Sequence, residues 1–235
     1  MCITIKTTIV VSILYLAMSA NAGTWRDDFN EKELRHWTPM GKGFTWETKD
    51  GFLHVIDVKP SRVCLLEFLK LTVSSVPHRK LTIVVTDIRT ARSGGFGIAL
   101  GKTFTDIPGA PFFYVFFTHR IYGRRFKGTG CSRPFTNWLP RCPGTRWGTR
   151  ELKQMKLIFD EGRFQMYADG EMRADFEDAH FDRIELIGFV LWGNLEFPGA
   201  QGWADSFVIS GPSIPSVDVN LRGRLAYIWG DIKRR

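Results

Sequence analysis

The stretch Met155–Met172, MKLIFDEGRFQMYADGEM, decides how the rest of the chain is read. Met155, Leu157 and Phe159 alternate with Lys156, Ile158 and Asp160, the period of a strand with one buried face. After Asp160-Glu161-Gly162 the alternation resumes in Arg163–Ala168, and Asp169-Gly170 ends it before EMRADF. Gly at these points readily adopts left-handed backbone, which tight hairpins require. The stretch therefore predicts antiparallel strands joined by short turns.

The same pattern extends in both directions. Candidate strands are Phe44–Glu47, Gly51–Ile56, Arg62–Phe68, Lys80–Ile88, Gly95–Gly101 and Phe112–Thr118, then Leu152–Asp160, Arg163–Ala168, Arg183–Leu191 and Trp203–Ser210. Lys49-Asp50-Gly51 supplies a third tight turn. Sustained helical periodicity is missing from the body of the chain. Glu31–His36 suits one helical turn, and Leu221–Lys233 suits a short amphipathic helix whose apolar face is Leu225, Ile228, Trp229 and Ile232. Pro212-Ser213-Ile214-Pro215-Ser216 reads as the linker before it. Many short strands with one wet and one dry face point to an all-β, two-sheet antiparallel sandwich or barrel with a short C-terminal helical tail.

Residues 1–22 read differently. MCITIK has Lys6 as its only charge, TTIVVSILYLAMS is an apolar run shorter than a membrane span of about 20 residues, and Ala20-Asn21-Ala22 offers small residues at a cleavage site. This is the pattern of a signal peptide for secretion, with an uncleaved anchor as the alternative. The domains expected are thus a signal at 1–22, one β domain at 23–212, and a linker and tail at 213–235. No second long apolar stretch follows, so no membrane span is expected in the mature chain. The secreted or extracytoplasmic setting makes a Cys131–Cys142 disulfide plausible around CSRPFTNWLPRC, closing a loop that contributes about 3 kcal/mol in the chain-entropy account. Cys64, in VCLLEF, reads as a small buried hydrophobe.

The formal net charge is +8. Its densest part runs from His119-Arg120 through Arg124, Arg125, Lys127, Arg133, Arg141 and Arg146 to Arg150, interleaved with Tyr122, Phe126, Trp138 and Trp147. Such a patch is either a solvated loop region or a surface for a polyanion. Secretion argues against nucleic acid, which leaves an extracellular glycan or polyanionic surface as the expected partner.

Several motifs resemble a known family. Trp25, Asp27, Asp28, Phe29, Asn30, Leu34 and Trp37, followed by Trp46, Glu47, Asp50, Gly51, Leu53 and Val55, resemble the opening of concanavalin A-like jelly-roll domains of the laminin-G and glucanase type. MKLIFDEGRFQMYADGEM, IGFVLWGN and GWADSFVISGP are similar to its middle and closing strands, so the likeness covers Thr24 to about Pro212. It implies two curved sheets, a first strand paired with the last, and a concave face that often binds carbohydrate. On that reading Tyr114 and Thr118 line a groove with Trp192 and Trp203. The resemblance also suggests calcium near the first and last strands, with Asp28 and Asp205 as carboxylate ligands.

The glucan-cleaving members use an E-x-D-x-x-E strand, which this sequence lacks. Retaining hydrolysis needs two carboxyls about 5–5.5 Å apart, whereas Glu67, Asp87, Glu185 and Glu196 fall on separate segments. The expectation is a non-catalytic carbohydrate- or surface-binding domain. A divergent glycoside hydrolase and a protein-interaction module are the alternatives.

Overall fold

All three predicted turns are two-residue hairpin loops with positive φ at both central positions: Asp50-Gly51 (53°, 78°), Glu161-Gly162 (45°, 104°) and Asp169-Gly170 (51°, 85°). This conformation matches the right-handed twist of the strands it joins. The structure, a computed structural model, describes residues 23–41, 43–57, 65–73, 77–91, 94–103, 112–125, 150–193 and 199–215. Residues 1–22, Lys127, the Cys131–Cys142 pair and the expected C-terminal helix lie outside the described residues.

Fifteen strands form among them: β1 (Gly23–Asp27), β2 (Trp37–Met40), β3 (Phe44–Lys49), β4 (Phe52–Asp57), β5 (Leu65–Leu71), β6 (Lys80–Ala91), β7 (Gly95–Lys102), β8 (Phe112–Phe117), β9 (Arg120–Arg125), β10 (Glu151–Asp160), β11 (Arg163–Ala168), β12 (Glu171–Glu177), β13 (Leu186–Gly193), β14 (Gln201–Ala204) and β15 (Ser206–Gly211). A nine-stranded sheet runs β12-β11-β10-β6-β14-β4-β3, with β15 also on β6 and β1 on β15. A six-stranded sheet runs β2-β5-β13-β7-β8-β9. Every strand pairing is antiparallel, and no helix occurs among the described residues. Glu31–His36, expected as a helical turn, makes non-helical turns and bends instead.

The sheets meet through their inner faces. Ile83, Val85, Leu157, Phe159, Phe164 and Phe207 come from one side, and Leu69, Ile98, Leu100, Phe116, Phe189 and Leu191 from the other, all nearly inaccessible. Phe96 and Phe189 stack at 5.4 Å within this layer. Burying such a side chain stabilises by about 1.5–3 kcal/mol, so the inter-sheet layer dominates the energetics. The first strand closes against the last, with Trp25 opposite Ile209 and Asp27 opposite Phe207.

The single run Trp203–Ser210 divides at Asp205. There β6 changes partner from β15, paired through Thr86, to β14, paired through Arg89, and Asp87 takes a positive φ of 43°. Asp205 holds this break: its N–H donates to the Thr86 carbonyl at 3.0 Å, and its carboxylate accepts the Thr86 hydroxyl at 2.9 Å.

The start of the proposed linker is tied to the sandwich. Ile214 is buried, and the Ser213 hydroxyl lies 2.7 Å from His78 Nδ1. His78 bridges to Ile184 and lines a small cavity with Leu71, Glu185, Ile187, Ile209 and Ile214. Burial pushes its pKa below the ordinary value of 6.5. The folded state therefore holds this imidazole neutral, while the unfolded chain takes up a proton near pH 6.5. Its contribution to stability is full above pH 6.5 and is lost as pH falls through the depressed folded-state pKa. The urea midpoint should drop between pH 7.5 and pH 5, and His78→Gln should flatten that dependence. An unchanged slope in the variant would refute the assignment.

Candidate functional site

The six-stranded sheet has an unusual outer face. In GFGIALGK the alternation sends Phe96, Ile98 and Leu100 into the inter-sheet core, leaving Gly95, Gly97, Ala99 and Gly101 on the outer side of β7. The Phe117 ring lies where a Gly95 Cβ would sit, with contacts from 2.7 Å. Around this strip Phe68, Phe113, Val115, Phe117 and Val190 form a second apolar cluster, each at most 4% exposed. Phe68 and Phe113 stack at 4.5 Å. This side of the sheet is therefore apolar and nearly inaccessible.

Its half-buried margin carries the polar and aromatic chemistry. Trp192 packs on the second cluster, and the Arg120 guanidinium lies 4.7 Å from its ring centroid, within cation–π range. The His119 ring stacks on Phe117 at 6.0 Å. Along the edge strand β9, Arg120 is in register with Phe117, and Tyr122, Arg124 and Arg125 are in register with Val115, Phe113 and Phe112.

The four residues expected in one groove are not brought together. Tyr114 and Thr118 turn into the sandwich. Tyr114 is 3% exposed among Phe164, Phe176 and Phe181, and Thr118 is fully buried beside Thr90 at 3.2 Å. Trp192 belongs to the outer face of the six-stranded sheet. Trp203 belongs to the nine-stranded sheet, stacked on His54 at 5.1 Å and in register with Arg89. The face of FFYVFF expected to line the groove is thus the inward one. Alternation defined two faces correctly, but both are apolar, so it gave no indication of which one turned inward.

Several of the acids singled out in the sequence have structural work, while Glu196 lies outside the described residues. Asp27 accepts the Phe29 N–H at 2.9 Å and the Trp37 indole N–H at 2.8 Å, while Asp28 pairs with the exposed Arg26. The Glu67 carboxylate accepts N–H groups of Gly43 at 2.6 Å and Phe44 at 3.1 Å, and Gly41 leaves room for it. Glu185 accepts the Thr103 N–H and pairs with Arg183. For calcium, Asp28 and Asp205 make a poor donor set, since one is engaged by a cation and the other by the Thr86 hydroxyl. Among the described residues no group of three or more His, Cys, Asp or Glu is placed to hold a metal ion.

One constellation had little sequence signal. The Tyr114 hydroxyl donates to Asp178 Oδ2 at 2.6 Å; Asp178 Oδ1 accepts the His180 N–H at 3.0 Å and lies 2.8 Å from His180 Nδ1. The buried carboxylate thereby orients an exposed imidazole. Only the short Asp-Ala-His spacing hints at it; the tyrosine arrives through the fold.

No family model and no curated protein matches the chain. Solved structures do match in fold. A protein of unknown function with a galectin-like fold from Bacillus subtilis superposes with a TM-score of 0.51 at 14% identity, over 78% of this chain and 94% of its own. The kappa-carrageenase from Pseudoalteromonas carrageenovora, determined with an oligotetrasaccharide of kappa-carrageenan, superposes with a TM-score of 0.52 at 9% identity, over 80% and 94%. The chain is a jelly-roll β-sandwich similar to these, as its opening and closing motifs implied. Among the described residues no helix is long and apolar enough to cross a membrane.

Proposed function

We propose that this chain is an exported, non-catalytic carbohydrate-binding domain whose ligand meets the Trp192–Arg120 margin of the six-stranded sheet. The observation that carries the reading is the character of that sheet. Its central strands β13, β7 and β8 contain no Asp or Glu, while its margin joins an indole ring to a guanidinium. Sugar recognition combines an aromatic surface with a few placed hydrogen-bonding groups. Glycoside hydrolysis needs a pair of carboxyls flanking the bond, which those strands do not supply. The kappa-carrageenase, similar in fold, was determined with an oligosaccharide, which supports a glycan as ligand without supplying its identity.

Affinity electrophoresis and calorimetry on a polysaccharide panel test the reading. A glycan should be retained, no new reducing ends should appear, and Trp192→Ala should weaken binding at least about tenfold while Trp203→Ala leaves it unchanged. Retention of nothing, or loss with Trp203→Ala alone, would refute the assignment.

A further inference from the structure

β15 ends at Gly211, and the residues that follow, Pro212–Pro215, turn back onto the sandwich as a short strap. Its ends, Pro212 and Pro215, are exposed and have no N–H to donate. Its middle is what holds. The Ile214 N–H donates to the Gly211 carbonyl at 3.2 Å, and the buried Ile214 side chain lines one small cavity with Leu71, Ile187 and Ile209. The Ser213 hydroxyl lies 2.7 Å from His78 Nδ1. His78 in turn is fixed to the body of the fold. Its N–H and its carbonyl both pair with Ile184, each at 2.8 Å, so the strap is the movable partner of this contact.

The contact suits a neutral imidazole only. The His78 residue is 2% exposed, and Ser213 is the ring's one hydrogen-bonding partner among the described residues. A protonated ring carries a donor on each nitrogen and a charge, and burying both without a second acceptor or a counter-ion is unfavourable. The surroundings supply neither. Leu71 of β5, Ile187 of β13 and Ile209 of β15 are apolar, as are Val73 and Ile214. Glu185 is the one carboxylate lining the cavity, and its oxygens accept from Arg183 Nε at 2.9 Å and the Thr103 N–H at 3.0 Å. Along the segment of His78 itself, Arg79 and Lys80 are exposed, and Lys80 pairs with Asp160. The depressed pKa of His78, caused by burial, agrees with this geometry.

We propose that Pro212–Pro215 is an acid-operated latch: protonation of His78 releases Ser213 and Ile214 while both sheets stay folded. Release opens the cavity between Leu71, Ile187 and Ile209 and admits water to the imidazole. A segment held by so few contacts opens locally at far lower cost than the sandwich unfolds. A ring freed to water takes up a proton near pH 6.5. Lowering the pH from 7.5 to 5.0 therefore multiplies the open population by at most about thirtyfold for this one site.

Amide hydrogen exchange of the full chain, followed residue by residue by NMR and corrected for intrinsic rates, tests the latch. The Ile214 amide should exchange at least about threefold faster at pH 5.0 than at pH 7.5. Sub-denaturing urea should leave its exchange unchanged, while speeding that of Ile83 and Phe189 in the core, which needs the sandwich to unfold. His78→Gln should remove the pH response. Ser213→Ala, which leaves the core side chains in place, should speed Ile214 exchange about fivefold at pH 7.5, the effect of one lost hydrogen bond; it carries the test where His78→Gln does not fold. An Ile214 amide that follows Ile83 and Phe189 in rate and urea dependence would overturn the proposal, since the strap would then leave only with global unfolding. A pH response that persists in His78→Gln would overturn it as well, and so would an Ile214 amide indifferent to Ser213→Ala.

Discussion

Trp37→Ala is expected to lower folding stability by about 4 kcal/mol, within the range for emptying a buried aromatic site. Trp37 is 5% exposed. Its ring centroid lies 5.1 Å from Phe207, 5.2 Å from Phe189, 6.0 Å from Phe29 and 6.1 Å from Trp25. These partners come from β1 and its following turn, from β13 and from β15, so one side chain joins both sheets to the N-terminal strand. Its indole N–H also donates to Asp27, whose other oxygen holds the Phe29 N–H. Trp37→Phe keeps most of the packing and loses that bond, and should cost about 1–2 kcal/mol. Urea unfolding checks both values; a loss below about 1 kcal/mol for the alanine variant would show that the cluster does not tie the sheets together.

Gly97→Ala should cost at least about 3 kcal/mol, at or beyond the usual limit for an overpacked site. A Cβ there would stand 2.0 Å from the Phe116 carbonyl oxygen and 2.7 Å from the Phe117 Cα. Both are backbone atoms of the paired strand, so no rotamer change relieves the contact and β7 must part from β8. Gly170→Ala is the informative comparison. Its φ is +85°, yet nothing lies within 4 Å of the added carbon. That substitution carries only the backbone penalty of an Ala at positive φ, about 1 kcal/mol. Chemical denaturation should therefore rank Gly97→Ala well below Gly170→Ala in stability. The reverse order would show that the two strands separate without cost.

The strands missed in the sequence share a location. β2 (WTPM), β9 (RIYGRR) and β12 (EMRADFE) are all edge strands. An edge is partly solvated, and proteins discourage further pairing there with proline and charge. Pro39, the three arginines of β9 and the four charges of β12 accordingly obscured the alternation. The central strands, flanked on both sides, kept it. The glycines of the candidate strand Gly95–Gly101 make the close approach of β7 to its neighbours.

The candidate site was less legible than the fold. Trp192 and Arg120 were each singled out, one as a groove aromatic and the other as part of a basic patch. Their contact arises because β13 and β9 flank β7 and β8 in the same sheet, an order that does not follow the chain. Asp28 attracted notice as a ligand, whereas its neighbour Asp27 does the structural work, since hydrogen bonding depends on where Trp37 returns.

By itself, the sequence determined the strand periods, the three Gly-containing hairpins and the closing motifs that announce a jelly-roll sandwich. Those features are local: a two-residue period and a positive φ depend on neighbours a few positions away. The tertiary structure alone decided that Tyr114 and Thr118 turn inward and that Trp192 and Trp203 belong to different sheets. Each of those outcomes depends on which strands lie side by side, and residues far apart in the chain set that order through the core they bury together.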